Sequence, residues 1–351
     1  MDANDAAGAA WEKLRGTRWC PPAAASGDPA RRRTYVFALE QAEQMFRAAA
    51  TVGVATRPLQ VFYGLSQAGR AIAAAAAALV GDGWELAGHG IRCDPGTLRG
   101  PLPDIRLEAA KPGGKTSFGR LSELLGSSLW AGPQQVTLSE LWDDLPDNRL
   151  HPLRDPSESR TTPLYVDHLS LYADPHPLTS VPVAYLPPWV VNSSDRSKAL
   201  ATYMSRFPDV LPWDSFHKVS GEPDAAPNFT VHDDGWGELV INWSHQDGRA
   251  GTPSEHLAYL QSMARAYRGE LWLFPGVGGA DRSMHPLMAW WAVLFTLSML
   301  ARYQPGEWAA HVDVDASPHA VPVERLLARA IGIIPELVAE AIAQVAGTTP
   351  G

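Results

Sequence analysis

Apolar positions repeat along this chain in two different rhythms. From Thr34 to Ala50, Tyr35, Leu39, Ala42, Phe46 and Ala49 recur at spacings of four and three, with Glu40, Gln41, Glu43, Gln44 and Arg47 on the other faces. That period predicts an amphipathic helix ending near Gly53. A second helix is predicted from Pro58, suited to a first helical position, to a stop at Gly81. It is apolar or small nearly all round (Leu59, Val61, Phe62, Leu65, then Ala71 to Val80), so it should be buried on most sides. Gly64 and Gly69 within it would let a neighbouring helix approach closely. From about Pro101 to Gly279 the rhythm shortens. Asp104–Glu108, Val181–Leu186, Glu238–Trp243 and Glu270–Phe274 read as short strands between stretches rich in Pro, Gly and Asp. Inside this region Thr252, Pro253 and Glu255 spell a capping box that leads into a helix over His256–Tyr267, stopping at Gly269. Helical patterning returns over Met284–Tyr303, Val323–Ile331 and Glu336–Ala346, with Gly332 and Pro335 separating the last two. The pattern therefore predicts an α+β, mainly helical chain: an N-terminal helical region (1–100), a loop-rich middle region with short strands (101–280) and a C-terminal helical region (281–351) packing back on the first.

Composition narrows the class. With 351 residues, 45% hydrophobic and 19% charged, the chain can bury a large core and lies outside the composition of disordered proteins. A net charge of −9 disfavours sequence-independent nucleic-acid binding over a broad basic surface, although a local basic pocket is compatible with it. Cys20 and Cys93 cannot supply a thiolate metal cage or a disulfide framework and read as free thiols of a reducing compartment. Met1–Arg15 carries Asp2, Asp5 and Glu12 without an apolar segment, so a cytoplasmic protein is expected. The uncharged run Ser283–Ala301 approaches the length of a membrane span. Its flanking Arg282 and Arg302 give no positive-inside bias and Trp290 and Trp291 sit near its middle, so a buried core helix and no membrane contact are predicted.

Several segments together resemble a known family. An early helix carrying Trp11, then RPLQVFYGLSQAGRAI (57–72), HGI (89–91) and HPLMAWWAVLFTLSMLARYQPGEW (285–308) follow the order of the YaaC-like bacterial family. The segment FYGLSQAGRAI is also similar to the YYAMFHAARAL helix of HEPN domains, which include ribonucleases and partners of nucleotide-transfer enzymes. That resemblance implies a HEPN-like helical core and a protein that binds a protein partner, a second copy of itself, a nucleotide or RNA, in bacterial stress or phage defence. It also implies two alternatives, a metal-independent ribonuclease and a structural subunit. No cofactor and no metal are expected.

Individual constellations differ in the chemistry they can support. HEPN ribonucleases carry Arg, four to six residues, then His; Arg249 and His256 fit, but in the middle region and at a frequency that chance supplies. The run AAKPGGKTS (109–117) has Gly114, Lys115 and Thr116 in phosphate-loop order but Ala109 where the first glycine belongs, so a Gly-rich turn is expected. GLSQAG (64–69) is no nucleophile elbow, because Ser66 falls within a helix. His89, near Cys93, reads as a satisfied loop histidine. The more informative feature is a polar stripe: Gln60, Tyr63, Gln67 and Arg70 are spaced three, four and three on an otherwise apolar helix. His285, Thr296 and Tyr303, with Ser298 and Arg302, offer a counterpart on the C-terminal helix. If those helices pack, the groups form either an internal hydrogen-bond network or a ligand-facing pocket.

Overall fold

The computed structural model describes residues 3–109, 114–130, 135–156, 158–171, 173–210, 212–217, 226–244 and 250–347. In chain order the first helices are α1 (Ala3–Trp19), α2 (Ala23–Ser26), α3 (Pro29–Thr51) and α4 (Arg57–Ala75). Strands β1 (Ile91–Cys93), β2 (Arg106–Ala109) and β3 (Val136–Thr137) alternate with α5 (Ser117–Leu124), and α6 (Leu138–Asp143) follows. Next come β4 (Leu164–Val166), β5 (Leu178–Leu186), α7 (Pro188–Val191), α8 (Arg196–Met204), β6 (Ser215–His217), β7 (Thr230–Val231), β8 (Gly237–Ser244), α9 (Pro253–Met263), β9 (Arg265–Tyr267) and β10 (Glu270–Leu273). The chain closes with α10 (Pro286–Tyr303), α11 (Pro305–His311) and α12 (Ala320–Val345).

These elements cluster into two compact units. The first gathers Met1–Trp142, Leu150–Leu153 and Met284–Gly351, and the second Asp143–Arg149 and Arg154–Ser283. Residues 101–142, whose texture resembles the middle region, lie in the first unit because β2 pairs with both β1 and β3 in an antiparallel sheet.

In the first unit α4 packs against α3, α10, α12 and α5, and α10 is buried from Pro286 to Ser298. The approach is close because two glycines lack a side chain. A Cβ on Gly69 would lie 2.8 Å from Trp291 and Leu121, and one on Gly64 would lie 2.8 Å from Phe46. The long alanine run does not stay helical to Gly81. Helix α4 ends at Ala75, where the buried guanidinium of Arg31 reaches across from α3. Its Nε donates to the Ala74 carbonyl at 2.6 Å, one Nη to the Leu79 carbonyl at 2.9 Å and the other to the Ala76 carbonyl. One side chain thus satisfies carbonyls that a helix end leaves orphaned. Arg31 comes from an unremarked Arg-Arg-Arg run, and nothing in the local pattern singles it out. Burial lowers the pKa of this guanidinium, with Asp28 opposing the shift.

The two helices expected on either side of Gly332 and Pro335 are one helix, α12. Proline inside a helix costs about 3 kcal/mol. The buried stripe Val323, Leu326, Leu327, Ala330, Ile333, Ile334, Leu337, Val338, Ala341 and Ile342 runs through the proline without losing phase. Each fully buried aliphatic in it contributes about 1.5–3 kcal/mol, enough to hold the helix continuous.

The second unit is built on a seven-stranded antiparallel sheet in the order β6-β8-β5-β4-β10-β9, with β7 also beside β8. One face, carrying Val181, Val183, Leu239, Ile241, Trp243, Leu271 and Leu273, packs on Leu200, Tyr203 and Met204 of α8 and Leu260 and Met263 of α9. Helix α9 starts at the expected capping box, Thr252 Oγ1 accepting from the Glu255 amide at 3.3 Å and Glu255 from the Thr252 amide at 2.7 Å. It does not run to Tyr267. Arg268 and Gly269 both have positive φ (55° and 80°), the requirement of a two-residue hairpin turn, so β9 folds back on β10. Gly269 is a hairpin residue, not a helix stop.

Buried charge concentrates at the start of this unit. Arg160 holds Asp143 through Nε and Nη2 at 3.0 and 2.7 Å. Asp144 beside it is 0% exposed, and among the described residues neither of its carboxylate oxygens has a hydrogen-bond partner. Burial pushes this carboxyl well above the usual range; Arg265 pulls it down and Asp143 pushes it further up. The folded state therefore binds the proton more tightly than the unfolded chain does. The resulting stabilisation is fully present below the unfolded carboxylate pKa and is lost as pH rises through the folded value. Melting temperature should fall as the solution goes from mildly acidic to alkaline. Asp144→Asn, isosteric with the protonated acid, should flatten that dependence and melt higher than the parent on the alkaline side; parallel melt-versus-pH curves would refute the assignment.

Candidate functional site

The polar stripe and the C-terminal end of α10 meet in the first unit. At Tyr63 the stripe reaches the last turn of α10, where Arg302 donates a hydrogen bond to the Tyr63 hydroxyl; Arg70 lies two turns further along α4, next to Gly69, whose Cβ position falls against Trp291. Arg302 also lies over the ring of Tyr303 at 5.1 Å, and that ring is 57% exposed. Gln60 and Gln67 are half-buried on the same stripe, while Arg70 and Arg302 are exposed. Arg99 reaches the same end of α10, donating to Gln304 at 3.4 Å.

His89 joins this group from the loop before β1. Gly88 and Gly90 have φ of 74° and 73°, a conformation that glycine adopts without strain, and a Cβ on Gly90 would collide with Thr116. The loop is tied down at both residues: Gly88 accepts from the Ser117 amide at 3.0 Å and His89 from the Phe118 amide at 2.9 Å. The imidazole packs against Phe62 and Phe295 at ring separations of 5.6 and 5.7 Å. Its pKa is lowered, first by burial, then by the positive charges of Arg302 and Arg70. Two arginines on different helices thus add to the effect of burial on one half-buried imidazole. Among the described residues neither is paired with a carboxylate. Guanidinium groups are planar donors for oxygen atoms, and a hydroxyl and an imidazole can each accept or donate a hydrogen bond.

Other sequence candidates fall elsewhere. His285 caps the N-terminus of α10, accepting from the Leu287 amide at 3.2 Å while its own amide donates to Ser127 at 2.9 Å. It is 17 residues before Arg302, about 25 Å along the helix, and takes no part in the cluster. Thr296 and Ser298 are buried and donate to carbonyls of their own helix at 2.9 and 2.7 Å. Cys93 is buried beside Thr296, whose hydrogen bond opposes the shift, and burial pushes its thiol up to about 12. The turn after α10 is braced by Trp308, which donates to the Ala55 carbonyl at 3.0 Å.

Arg249 lies outside the described residues, as do residues 110–113 of the Gly-rich run. His256 is described: it is 0% exposed and bonded through Nδ1 to Thr179 at 2.8 Å, inside the second unit. At the end of the Gly-rich run the first amides of α5 are taken by Gly88 and His89, leaving them unavailable to cradle a phosphate. Among the described residues no group of three or more His, Cys, Asp or Glu could hold a metal ion. No described helix is long and apolar enough to cross a membrane.

The stripe on α4 and the end of α10 were readable as patterns, but His89 was legible only as an isolated loop residue. Its one signal is the pair of glycines around it, which fix a loop conformation without saying what the loop faces.

No curated protein and no solved structure matches this chain. The sequence model of one family does, that of the YaaC-like Protein family, over residues 17–342.

Proposed function

We propose that this chain, which belongs to the YaaC-like family, is a binding protein whose ligand is the phosphate group of a nucleotide or of RNA. The observation that carries the reading is that Arg302, hydrogen-bonded to Tyr63 and lying over the Tyr303 ring, has no carboxylate paired to its guanidinium among the described residues, with Arg70 likewise unpaired on the same stripe of α4. Guanidinium forks match phosphate oxygens in pairs. The exposed ring of Tyr303 beside Arg302 offers a surface on which a base can stack. The likeness of the α4 segment to HEPN helices supports RNA or a nucleotide over other anions. In this reading the protein is HEPN-like and cytoplasmic, works by binding and not by catalysis, and serves bacterial stress or phage defence with a protein partner or a second copy of itself. No observation favours the ribonuclease alternative, whose histidine, His256, is enclosed in the second unit.

The test is binding of an oligoribonucleotide carrying a 5′-phosphate. Loss of one charge-assisted contact costs about 1.5–3 kcal/mol, so Arg70→Ala and Arg302→Ala should each weaken binding roughly 10- to 100-fold. Both residues are exposed, so unfolding free energy should stay within about 0.5 kcal/mol of the parent. Unchanged affinity in both variants, or weakened affinity accompanied by an equal loss of stability, would overturn the assignment.

A further inference from the structure

A row of polar side chains crosses three strands of the second unit. Ser180 of β5, Asn242 of β8 and Ser215 of β6 stand opposite one another in the antiparallel registers, on the sheet face turned away from Val181 and Ile241. Side chains so placed start about 4.5–5.5 Å apart at Cβ, within reach of one another. Asn242 is 3% exposed and Ser180 7%. Ser180 Oγ donates to Asn242 Oδ1 at 2.6 Å. The two hydrogens of Asn242 Nδ2 go to Ser215 Oγ at 2.9 Å and to His217 Nδ1 at 3.2 Å. An amide nitrogen only donates, so this arrangement requires His217 Nδ1 to carry no proton. The titratable groups on the flanking elements are Asp214, Tyr259, Glu238 and His232. Asp214, just before β6, accepts from the Ser244 amide and acts on Tyr259 of α9. Glu238 lies two residues along β8 from Val240, the partner of His217, and is joined to His232 at 3.5 Å.

We infer that Asn242 is a two-position relay: its amide turns over when His217 takes up a proton, and so carries the charge state of the edge strand β6 to Ser180 on β5. A proton on Nδ1 sets N–H against N–H in the observed arrangement. Rotation about the Cβ–Cγ bond of Asn242 exchanges Oδ1 and Nδ2 without moving the backbone. Oδ1 then accepts from His217 Nδ1 and from the Ser215 hydroxyl, and Nδ2 donates to Ser180 Oγ. Both serine hydroxyls can reverse, because each donates and accepts. All three neighbours keep a hydrogen bond to the amide in either position, whereas every mixed arrangement leaves two donors or two acceptors face to face in a buried row. The proton comes from solvent, and no covalent bond in the protein is made or broken. The relay lies wholly within the second unit and is independent of the phosphate-binding reading.

Nuclear magnetic resonance of the full chain, labelled at asparagine, histidine and serine, reads both positions directly. On the alkaline side the Asn242 amide protons should show Overhauser contacts to the His217 ring and a coupling from Nδ2 to Nδ1 across the hydrogen bond. On acidification that coupling should vanish and the amide protons should gain contacts to the Ser180 β-protons, with the same midpoint as the His217 ring signal. In His217→Gln the amide should hold one position across the whole range. Asn242→Asp offers His217 an acceptor that needs no turn, so the ring should stay protonated to higher pH than in the parent. Amide contacts to His217 that persist through the titration overturn the inference. So does their loss without the gain of contacts to Ser180, which would mean that the ring leaves the row. A turn that survives in His217→Gln overturns the assignment to His217, and an unmoved ring titration in Asn242→Asp overturns the pairing of the two side chains.

Discussion

Arg160→Met is expected to destabilise the second unit by about 3–5 kcal/mol, read as a shift in denaturant midpoint. The guanidinium is 7% exposed and the Asp143 carboxylate 11%, so the pair is held away from water. Arg160 also donates to the Arg149 carbonyl at 3.2 Å, and its own carbonyl accepts from Trp189 Nε1 at 2.9 Å. Methionine fills much of the same volume but leaves Asp143 charged and buried beside Asp144, and it frees the Arg149 carbonyl. The loss comes from a buried carboxylate deprived of the Arg160 guanidinium, because an intact buried pair has only a small net value. Removing both charges with Arg160→Met and Asp143→Leu should recover a measurable part of the loss. A double variant less stable than Arg160→Met alone would show that the pair is worth more than its desolvation.

Gly69→Leu should cost roughly 3 kcal/mol or prevent folding of the first unit. The first added carbon would lie 2.8 Å from a Leu121 methyl and from two ring carbons of Trp291. Both residues are fully buried and closely surrounded, so α4 would have to move off α10 or α5. Gly69→Ala should already destabilise. Gly8, on α1 with nothing within 4 Å of an added Cβ, is the control: Gly8→Ala should be neutral or stabilising by about 0.5 kcal/mol. A melting curve for Gly69→Leu that overlays the parent would remove the close-approach account.

The parts of the fold that were readable are those where one local signal decides the outcome. The alternating spacing over Thr34–Ala50, the apolar run of α10 and the capping box at Thr252 each name an element without help from distant residues. Pattern and structure diverge where a local signal has two physical uses. Gly269 can stop a helix or turn a hairpin, and only β10, arriving to pair with β9, chooses the second. Pro335 can break a helix, yet burial on both sides keeps α12 intact. The alanine run has high helix propensity, and a charge from another helix cuts it short. At the candidate site the same limit applies. Tyr63 and Arg70 declare themselves as polar positions on an apolar helix, and Arg302 follows from helical phase. His89 belongs with them only because a loop between glycines carries it to Phe62 and Phe295.

The two-part origin of the first unit has a consequence for synthesis. Its N-terminal portion leaves the ribosome first, followed by the whole of the second unit, and only then by α10 and α12. Until they appear, α4 has α3 to cover one side, while the side that Trp291 will cover lies open. The second unit draws its sheet from one nearly unbroken stretch and can close while the nascent chain is still growing. Completion of the first unit waits for the last segment to emerge. A ribosome stalled with Ser283 just clear of its exit tunnel would display a folded second unit on a nascent chain whose apolar N-terminal helices are still exposed to chaperones and proteases.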